Sequence, residues 1–309
     1  MARTPVIVVH GGAGVLRRGH DRLRRQQQAG LVRALEAGVA AFEYADGTAT
    51  AAEAAVIAAV EVLEDEPTFN AGRGAVYTSS GHIEHDAAIM RGDSAFGGVG
   101  AIHGIRNPIR AAKAVMDEGT HLLLCGTAAT AFALAAGCVE AEQSWFHTEL
   151  RYRQLIDSIH STPRLDHSES DMPTGTVGAV ALDAGGHLAA ATSTGGMTGK
   201  HDGRVGDTPV PGAGTYARDG LCAVSCTGRG EEFLRAVAAY DVAARMGYSG
   251  LSLQEATNAT IDALPPETGG LIAVDADGNV TLPYSTAGML RGFARPGEAP
   301  CVGVFEVLE

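Results

Sequence analysis

The sequence predicts an α+β fold: two mostly antiparallel sheets flanked by helices, in four layers. Three observations carry this reading. Predicted strands and helices do not alternate regularly, which argues against a TIM barrel or a doubly wound parallel sheet. Two turns, Asp183-Ala184-Gly185-Gly186 and Asp275-Ala276-Asp277-Gly278, each separate two apolar runs in the manner of a hairpin. The chain of 309 residues is 45% hydrophobic and 19% charged, which gives it material for a large core and excludes global disorder. Aromatic residues supply only 5%, so Ala, Val, Leu and Ile must fill that core.

Taken in order, Val6-Ile7-Val8-Val9 reads as a short buried strand running into the glycine loop His10-Gly11-Gly12-Ala13-Gly14. Arg22 to Tyr44 has helical character. Thr50-Ala51-Ala52-Glu53 is a capping-box pattern that opens a second helix to about Leu63, and Glu64-Asp65-Glu66-Pro67 ends it. Phe69 to Gly74 is a turn-rich loop. Residues 75–103 alternate and suit three short strands. Asn107-Pro108 starts a helix to about Glu118, with Asn as cap and Pro at the first helical position. Thr127 to Ala136 predicts another. From about Arg151 the chain turns polar, and residues 160–174, leading to Gly175, read as an exposed, mobile linker. Beyond it, strands are predicted over Val177–Leu182, Leu188–Ser193, Cys222–Cys226, Leu271–Val274 and Val280–Pro283. A helix is predicted over Glu231–Arg245, and Ser252-Leu253-Gln254-Glu255 is a second capping box.

Charge and cysteine usage exclude several function classes. A net charge of −13 argues against nucleic acid or an anionic membrane as partner, because both need a basic footprint. Five cysteines, an odd number without Cys-x-x-Cys, argue against a disulfide framework or a zinc site and for a reducing, cytoplasmic setting. The apolar run Val6–Val9 is too short for a signal peptide, and Ala54–Val60 is far short of a membrane span. The 41 glycines imply many tight turns and close backbone approaches to a ligand.

Several constellations could carry chemistry. Gly12-Ala13-Gly14-Val15-Leu16-Arg17 breaks the dinucleotide pattern Gly-x-Gly-x-x-Gly at its sixth position. His82, Glu84, His85 and Asp86 include metal-ligating types, yet strand alternation puts His85 on the opposite face from the others. Gly175-Thr176 stands where a polar stretch meets a strand, a layout that suits an N-terminal nucleophile. A Thr hydroxyl needs a base, and the α-amine freed by cutting before Thr176 has a pKa, ~8, suited to that role. Thr192-Ser193-Thr194-Gly195-Gly196 ends the partner strand of the same hairpin and brings Thr194 near Thr176. In Gly203-Arg204-Val205-Gly206-Asp207 a guanidinium and a carboxylate can clamp the two charged groups of an amino acid. In Cys226-Thr227-Gly228-Arg229-Gly230 the Thr227 hydroxyl and the Gly228 N–H can form an oxyanion hole.

Together with Phe69-Asn70-Ala71-Gly72-Arg73-Gly74, these motifs resemble, in order and spacing, the plant-type L-asparaginase and isoaspartyl peptidase family of N-terminal-nucleophile (Ntn) hydrolases. The likeness runs over nearly the whole chain. It implies a four-layer αββα sandwich and a self-cleaving precursor. Cleavage between Gly175 and Thr176 would give an α chain, residues 1–175 with the mobile stretch 160–175, and a β chain, residues 176–309. It implies Thr176 as nucleophile, Thr194 as its hydrogen-bond partner, and Asn70 as a support of the site. It implies Arg204, Asp207 and Gly230 as substrate anchors, with Thr227 and Gly228 as the oxyanion hole. Leu63, Glu64, Glu66, Phe69, Ala71 and Arg73 match a loop that wraps a sodium ion with main-chain carbonyls; no cofactor is implied for the chemistry itself. The implied substrates are L-asparagine and β-aspartyl dipeptides, and the implied assembly is a pair of αβ units, (αβ)₂. Arg229 departs from the pattern, since many relatives carry a small residue there. The alternatives are a glycosylasparaginase-like amidohydrolase, a non-catalytic amino-acid-binding relative, and a metal-dependent hydrolase built on His82, Glu84, His85 and Asp86.

Overall fold

A computed structural model describes residues 3–14, 21–43, 50–160 and 175–305. Strand β1 (Val6–Gly14) is followed by helices α1 (Asp21–Ala41) and α2 (Ala51–Asp65), strands β2 (His85–Arg91) and β3 (Phe96–Ile102), helix α3 (Pro108–Glu118) and strand β4 (Leu123–Cys125). Helices α4 (Gly126–Ala135), α5 (Gln143–Phe146) and α6 (Glu149–His160) complete the first part. The second part opens with β5 (Val177–Leu182), β6 (Leu188–Thr194), β7 (Thr215–Arg218) and β8 (Cys222–Gly228). Helices α7 (Gly230–Ala236), α8 (Ala238–Ser249) and α9 (Leu253–Ala263) follow. Strands β9 (Gly269–Asp275), β10 (Val280–Thr281), β11 (Gly288–Ala294) and β12 (Cys301–Gly303) close it.

Among the described residues the strands form an eight-stranded sheet, in the order β12-β11-β1-β5-β6-β2-β3-β4, and a four-stranded sheet, in the order β10-β9-β8-β7. The pairings are antiparallel except β3 with β4. The fold is therefore α+β. Successive side chains of β1 point to opposite faces, and both faces are covered. Ile7 and Val9 pack with Leu31 and Leu35 of α1, Val56 and Val60 of α2 and Ile109 of α3. Val6 and Val8 pack with Val180 and Leu182 of β5 and with Ala223, Ile272 and Val274 of the smaller sheet. A third core lies beyond that sheet, where Val224 and Leu271 meet Phe233, Val242 and Leu253 of α7, α8 and α9. Burial on both sides explains why the strand reads as an unbroken apolar run.

The structure corrects several expectations. His10 to Gly14 is not a loop but the second half of β1, held to β11 with a register shift between His10 and Gly12. Residues 75–103 hold two strands, not three; Tyr77 and Ile83 make only an isolated bridge. Thr50 caps α2 by accepting from Glu53 N at 3.1 Å, but the Glu53 carboxylate turns away to Arg91 and Lys113, so the box is half made. Asn107 does not cap α3, because its amide reaches Asp65 instead. The box at Ser252 is complete. The helix expected over Glu231–Arg245 is broken at Val237, which sits at φ 48°. The break lets α8 dock its first turn on the preceding loop, with Ala239 N and Tyr240 N donating to the carbonyls of Ala213 and Gly212.

The polar stretch after Arg151 begins as α6. Its Arg151 is fully buried and donates from Nε to the carbonyl of Gly74 over 2.6 Å, tying this helix to the Phe69–Gly74 loop. Residues 161–174 of the predicted linker, and Tyr44 at the end of the first predicted helix, lie outside the described residues. Gly175 is buried against Gly12 and is not part of an exposed segment.

Candidate active site

Thr176 immediately precedes β5. Pairing of Val177 with Ser193 sets it opposite Thr194 at the end of β6. Its Oγ1 donates to Thr194 Oγ1 over 3.1 Å, and Thr194 Oγ1 also accepts from Gly196 N at 2.9 Å. Thr227 stands at the end of β8 in the other sheet. Its hydroxyl donates to the Thr176 carbonyl over 3.4 Å and accepts from Ala13 N at 3.3 Å. All three threonines are buried, so each hydroxyl is oriented by protein rather than by solvent. Gly228 follows at φ 143°, a conformation that favours glycine. Gly12 and Gly175 meet backbone to backbone; a Cβ on Gly12 would lie 2.5 Å from the Gly175 Cα. Asn70 hydrogen-bonds to neither Thr176 nor Thr227. It holds the turn after β6, donating from Nδ2 to the Gly196 carbonyl (2.7 Å) while its own carbonyl accepts from Gly195 N (3.1 Å).

A charged group of residues adjoins this cluster. Arg204 donates from Nε and Nη2 to Glu231 Oε1, over 3.0 and 2.7 Å. The ion pair of Arg204 is thus with Glu231 at the start of α7, not with Asp207. Asp207 is buried, and burial pushes its carboxyl up to about 7 against the pull of Arg204. Gly230 lies between them: a Cβ there would sit 2.7 Å from Asp207 Oδ1 and 2.9 Å from Arg204 Nη2. Only glycine lets the guanidinium and the carboxylate face the same small space. Asp86 lies behind, accepting from Ala101 N and Gly206 N, both at 2.9 Å. Lys200 caps the Glu84 carbonyl at 3.0 Å, and burial lowers its pKa.

The His82–Asp86 segment does not assemble a metal site. Glu84 accepts from Gly203 N, His85 is buried against Phe146, and no group of three metal-ligating side chains occurs among the described residues. The side chains of the expected sodium loop are likewise committed elsewhere. Glu66 pairs with Arg33 at 2.6 Å, and Arg73 stacks on Trp145. Glu64 is buried, accepts from Ser193 Oγ (2.6 Å) and Ile109 N (3.0 Å), and is pushed up to about 8 by burial. Main-chain oxygens remain. A Cβ on Gly72 would lie 2.5 Å from the Glu64 carbonyl oxygen, and one on Gly74 would lie 2.5 Å from that of Pro67 and collide with that of Phe69. Of the expected set, the carbonyls of Glu64 and Phe69 crowd these glycines and are hard oxygen donors of the kind an alkali cation takes, while those of Glu66 and Ala71 accept from Phe69 N and Gly74 N. No helix among the described residues is long and apolar enough to cross a membrane.

The sequence matches the family described as Asparaginase over residues 3–304. The chain belongs to the asparaginase family. It is 45% identical to the isoaspartyl peptidase of Escherichia coli K12, an alignment that covers 97% of this chain and 96% of that one. It is 41% identical to an isoaspartyl peptidase/L-asparaginase of Xenopus laevis, over 91% and 89%. It is 38% identical to a plant-type L-asparaginase of Pyrobaculum calidifontis, over 94% and 97%.

Several residues of this asparaginase-family site escape sequence reading. Glu231 reads as a helix-start acid favoured by the dipole, and nothing in its sequence position signals that it reaches Arg204. His10 reads as part of a glycine loop, Thr192 and Ser225 as ordinary strand residues, and Thr215 as part of no element, yet all four are fully buried and His10 reaches the Thr176 carbonyl.

Proposed function

We propose that this asparaginase-family chain is a self-processing threonine hydrolase. It would cleave β-aspartyl (isoaspartyl) dipeptides and the side-chain amide of L-asparagine, releasing L-aspartate. The observation that carries the reading is the 3.1 Å hydrogen bond from Thr176 Oγ1 to Thr194 Oγ1, one residue after a glycine peptide packed against Gly12. The names of relatives at 38–45% identity over nearly the whole chain support the substrate class.

In the processing step Thr176 Oγ1 attacks the Gly175 carbonyl, the acyl group moves from nitrogen to oxygen, and water hydrolyses the ester. Gly175 is left as a carboxylate and Thr176 as a free amine. In turnover that amine takes the Oγ1 proton while the oxygen attacks the side-chain carbonyl of the substrate. Thr227 Oγ1 and Gly228 N–H receive the developing oxyanion. The leaving ammonia or amino acid departs with the proton, and water hydrolyses the β-aspartyl ester. Arg204 binds the α-carboxylate of the substrate and Asp207 its α-ammonium, in the space that Gly230 leaves open. Both substrates present this same aspartyl head.

The same reading holds the molecule as one four-layer αββα domain of the Ntn type, and its three stacked cores support that. Processing would divide it into residues 1–175 and 176–309, assembled as (αβ)₂ in the cytoplasm. A sodium ion bound by carbonyls of the 63–73 loop would brace that turn, and with it Asn70; it takes no part in the chemistry. Intact-mass measurement and N-terminal sequencing after incubation test the reading. Two pieces are expected, the second beginning Thr176-Val177-Gly178-Ala179, and Thr176→Ala should abolish both cleavage and turnover. Turnover of a β-aspartyl dipeptide by Thr176→Ala would sink the mechanism.

A further inference from the structure

His10 is buried between the two sheets, and the groups discussed so far leave it without a role. Its Nδ1 lies 2.9 Å from the Thr176 carbonyl oxygen, and its Nε2 lies 2.9 Å from Ser225 Oγ. A carbonyl oxygen only accepts, so Nδ1 carries the hydrogen and Nε2 the lone pair. Ser225 therefore donates to Nε2. Its Oγ is 2.8 Å from Thr192 Oγ1, which must then donate to it, and Thr215 Oγ1 donates to Thr192 over 2.7 Å. Thr215 Oγ1 is also 3.0 Å from the Thr208 carbonyl, so its single hydrogen serves two acceptors. The series runs one way, from Thr215 through Thr192, Ser225 and His10 to the carbonyl of Thr176. Its members come in turn from β7, β6, β8 and β1, so it crosses between the sheets at each step up to His10, and the last step stays within the larger sheet.

Two further observations fit a tuned device. Burial pushes the imidazole down to about 3, outweighing the opposite pull of the Thr176 carbonyl, so the ring is neutral at ordinary pH; that carbonyl selects the Nδ1–H tautomer, and Ser225 answers it with a donor at Nε2. Gly178 on β5 makes room: a Cβ there would lie 2.5 Å from His10 Nε2 and collide with Ser225 Oγ.

We propose that His10 is a positioning residue for Thr176: its Nδ1–H, in the tautomer that the carbonyl selects and the hydroxyl series supports, pins the Thr176 carbonyl and so helps to set the amine beside Oγ1. This rests on Thr176 being the nucleophile. Once the chain is cut, Thr176 has no preceding peptide to restrain it. Its own carbonyl, held by His10 Nδ1 and Thr227 Oγ1, and its Oγ1, held by Thr194, then fix the Cα between them and with it the direction of the amine.

The test uses full-length protein, with kcat counted per cleaved molecule. His10→Asn places an amide N–H where Nδ1–H was; His10→Gln reaches Ser225 but not the Thr176 carbonyl. Ser225→Ala keeps the imidazole and removes the donor that holds the ring at Nε2. His10→Asn should stay within about threefold of wild type, while His10→Gln and Ser225→Ala lose about 10- to 100-fold in kcat with KM changed less than about twofold, the signature of misplaced reacting groups. Wild-type kcat in both His10→Gln and Ser225→Ala, with Thr176→Ala inactive, overturns the positioning role and leaves the nucleophile standing. Equal damage in His10→Asn and His10→Gln also overturns it, because the effect is then steric. An active Thr176→Ala overturns the reading beneath it.

Discussion

The site has two poles of opposite character. Around Thr176 the groups are neutral: the hydroxyls of Thr194 and Thr227 and an uncharged imidazole, all buried and fixed to strand ends. Around Arg204 they are ionisable: Arg204, Glu231, Asp207 and Lys200, all on the loop between β6 and β7 or the helix start beyond β8. Neutral hydrogen-bonded groups can be buried at little cost, so the reacting pole needs no counter-charge. Buried ions need partners, and while no substrate is bound the charged pole supplies one to Arg204 through Glu231, whereas buried Asp207 is driven toward its neutral form. Chemistry should therefore depend on geometry at one end and on ionisation at the other.

The sharpest way to break this division is Thr194→Val, which keeps the shape and removes the hydroxyl. Loss of about 100-fold or more in kcat, with KM within about twofold, is expected from steady-state kinetics on an asparagine or β-aspartyl substrate. A loss carried mainly by KM would merge the poles. The next effect is on pH dependence. Asp207 must be ionised to hold an ammonium, and its carboxyl is raised to about 7. KM should rise about tenfold per pH unit as pH falls below 7, with kcat much less affected. The stability contribution has the opposite sign. A folded carboxyl that keeps its proton up to about 7 favours the folded state at acid pH, and that advantage is lost as pH rises through 7. A flat KM between pH 5 and 8 would show that Asp207 does not meet the ammonium. The smallest effect belongs to Glu231→Gln. It frees the Arg204 guanidinium from a half-exposed partner, so KM should fall about two- to fivefold. A rise in KM would mean that Glu231 aims the guanidinium rather than competing for it.

How much of this was legible beforehand depends on how local the cause is. The β5–β6 hairpin was readable because both apolar runs and the Asp183–Gly186 turn lie within 18 residues, and Thr176 faces Thr194 as a direct result. Strand β11 was not readable. Gly288-Met289-Leu290-Arg291-Gly292-Phe293-Ala294 lacks alternation, and Arg291 interrupts it. It is a strand because β1 pairs with it from the far end of the chain, and its Arg291 is buried with donors on the Met289 and Phe305 carbonyls. The same holds within the site. Hydroxyls adjoining glycine-rich motifs could be found by pattern, whereas the His10 series forms only where strands of two sheets face one another. Val237 was missed because a valine at positive φ has no sequence signal.

The strand order of the larger sheet has one more consequence. β1 is flanked by β11 and β5, and β6 by β5 and β2, so strands from before residue 161 and after residue 174 are interleaved. Cutting the chain after Gly175 would not produce two bodies resting on each other but one sheet built from two molecules. Folding that was first-order in the precursor would become second-order in the cut form. Dilution would then oppose re-formation of the cut enzyme, while leaving its precursor indifferent.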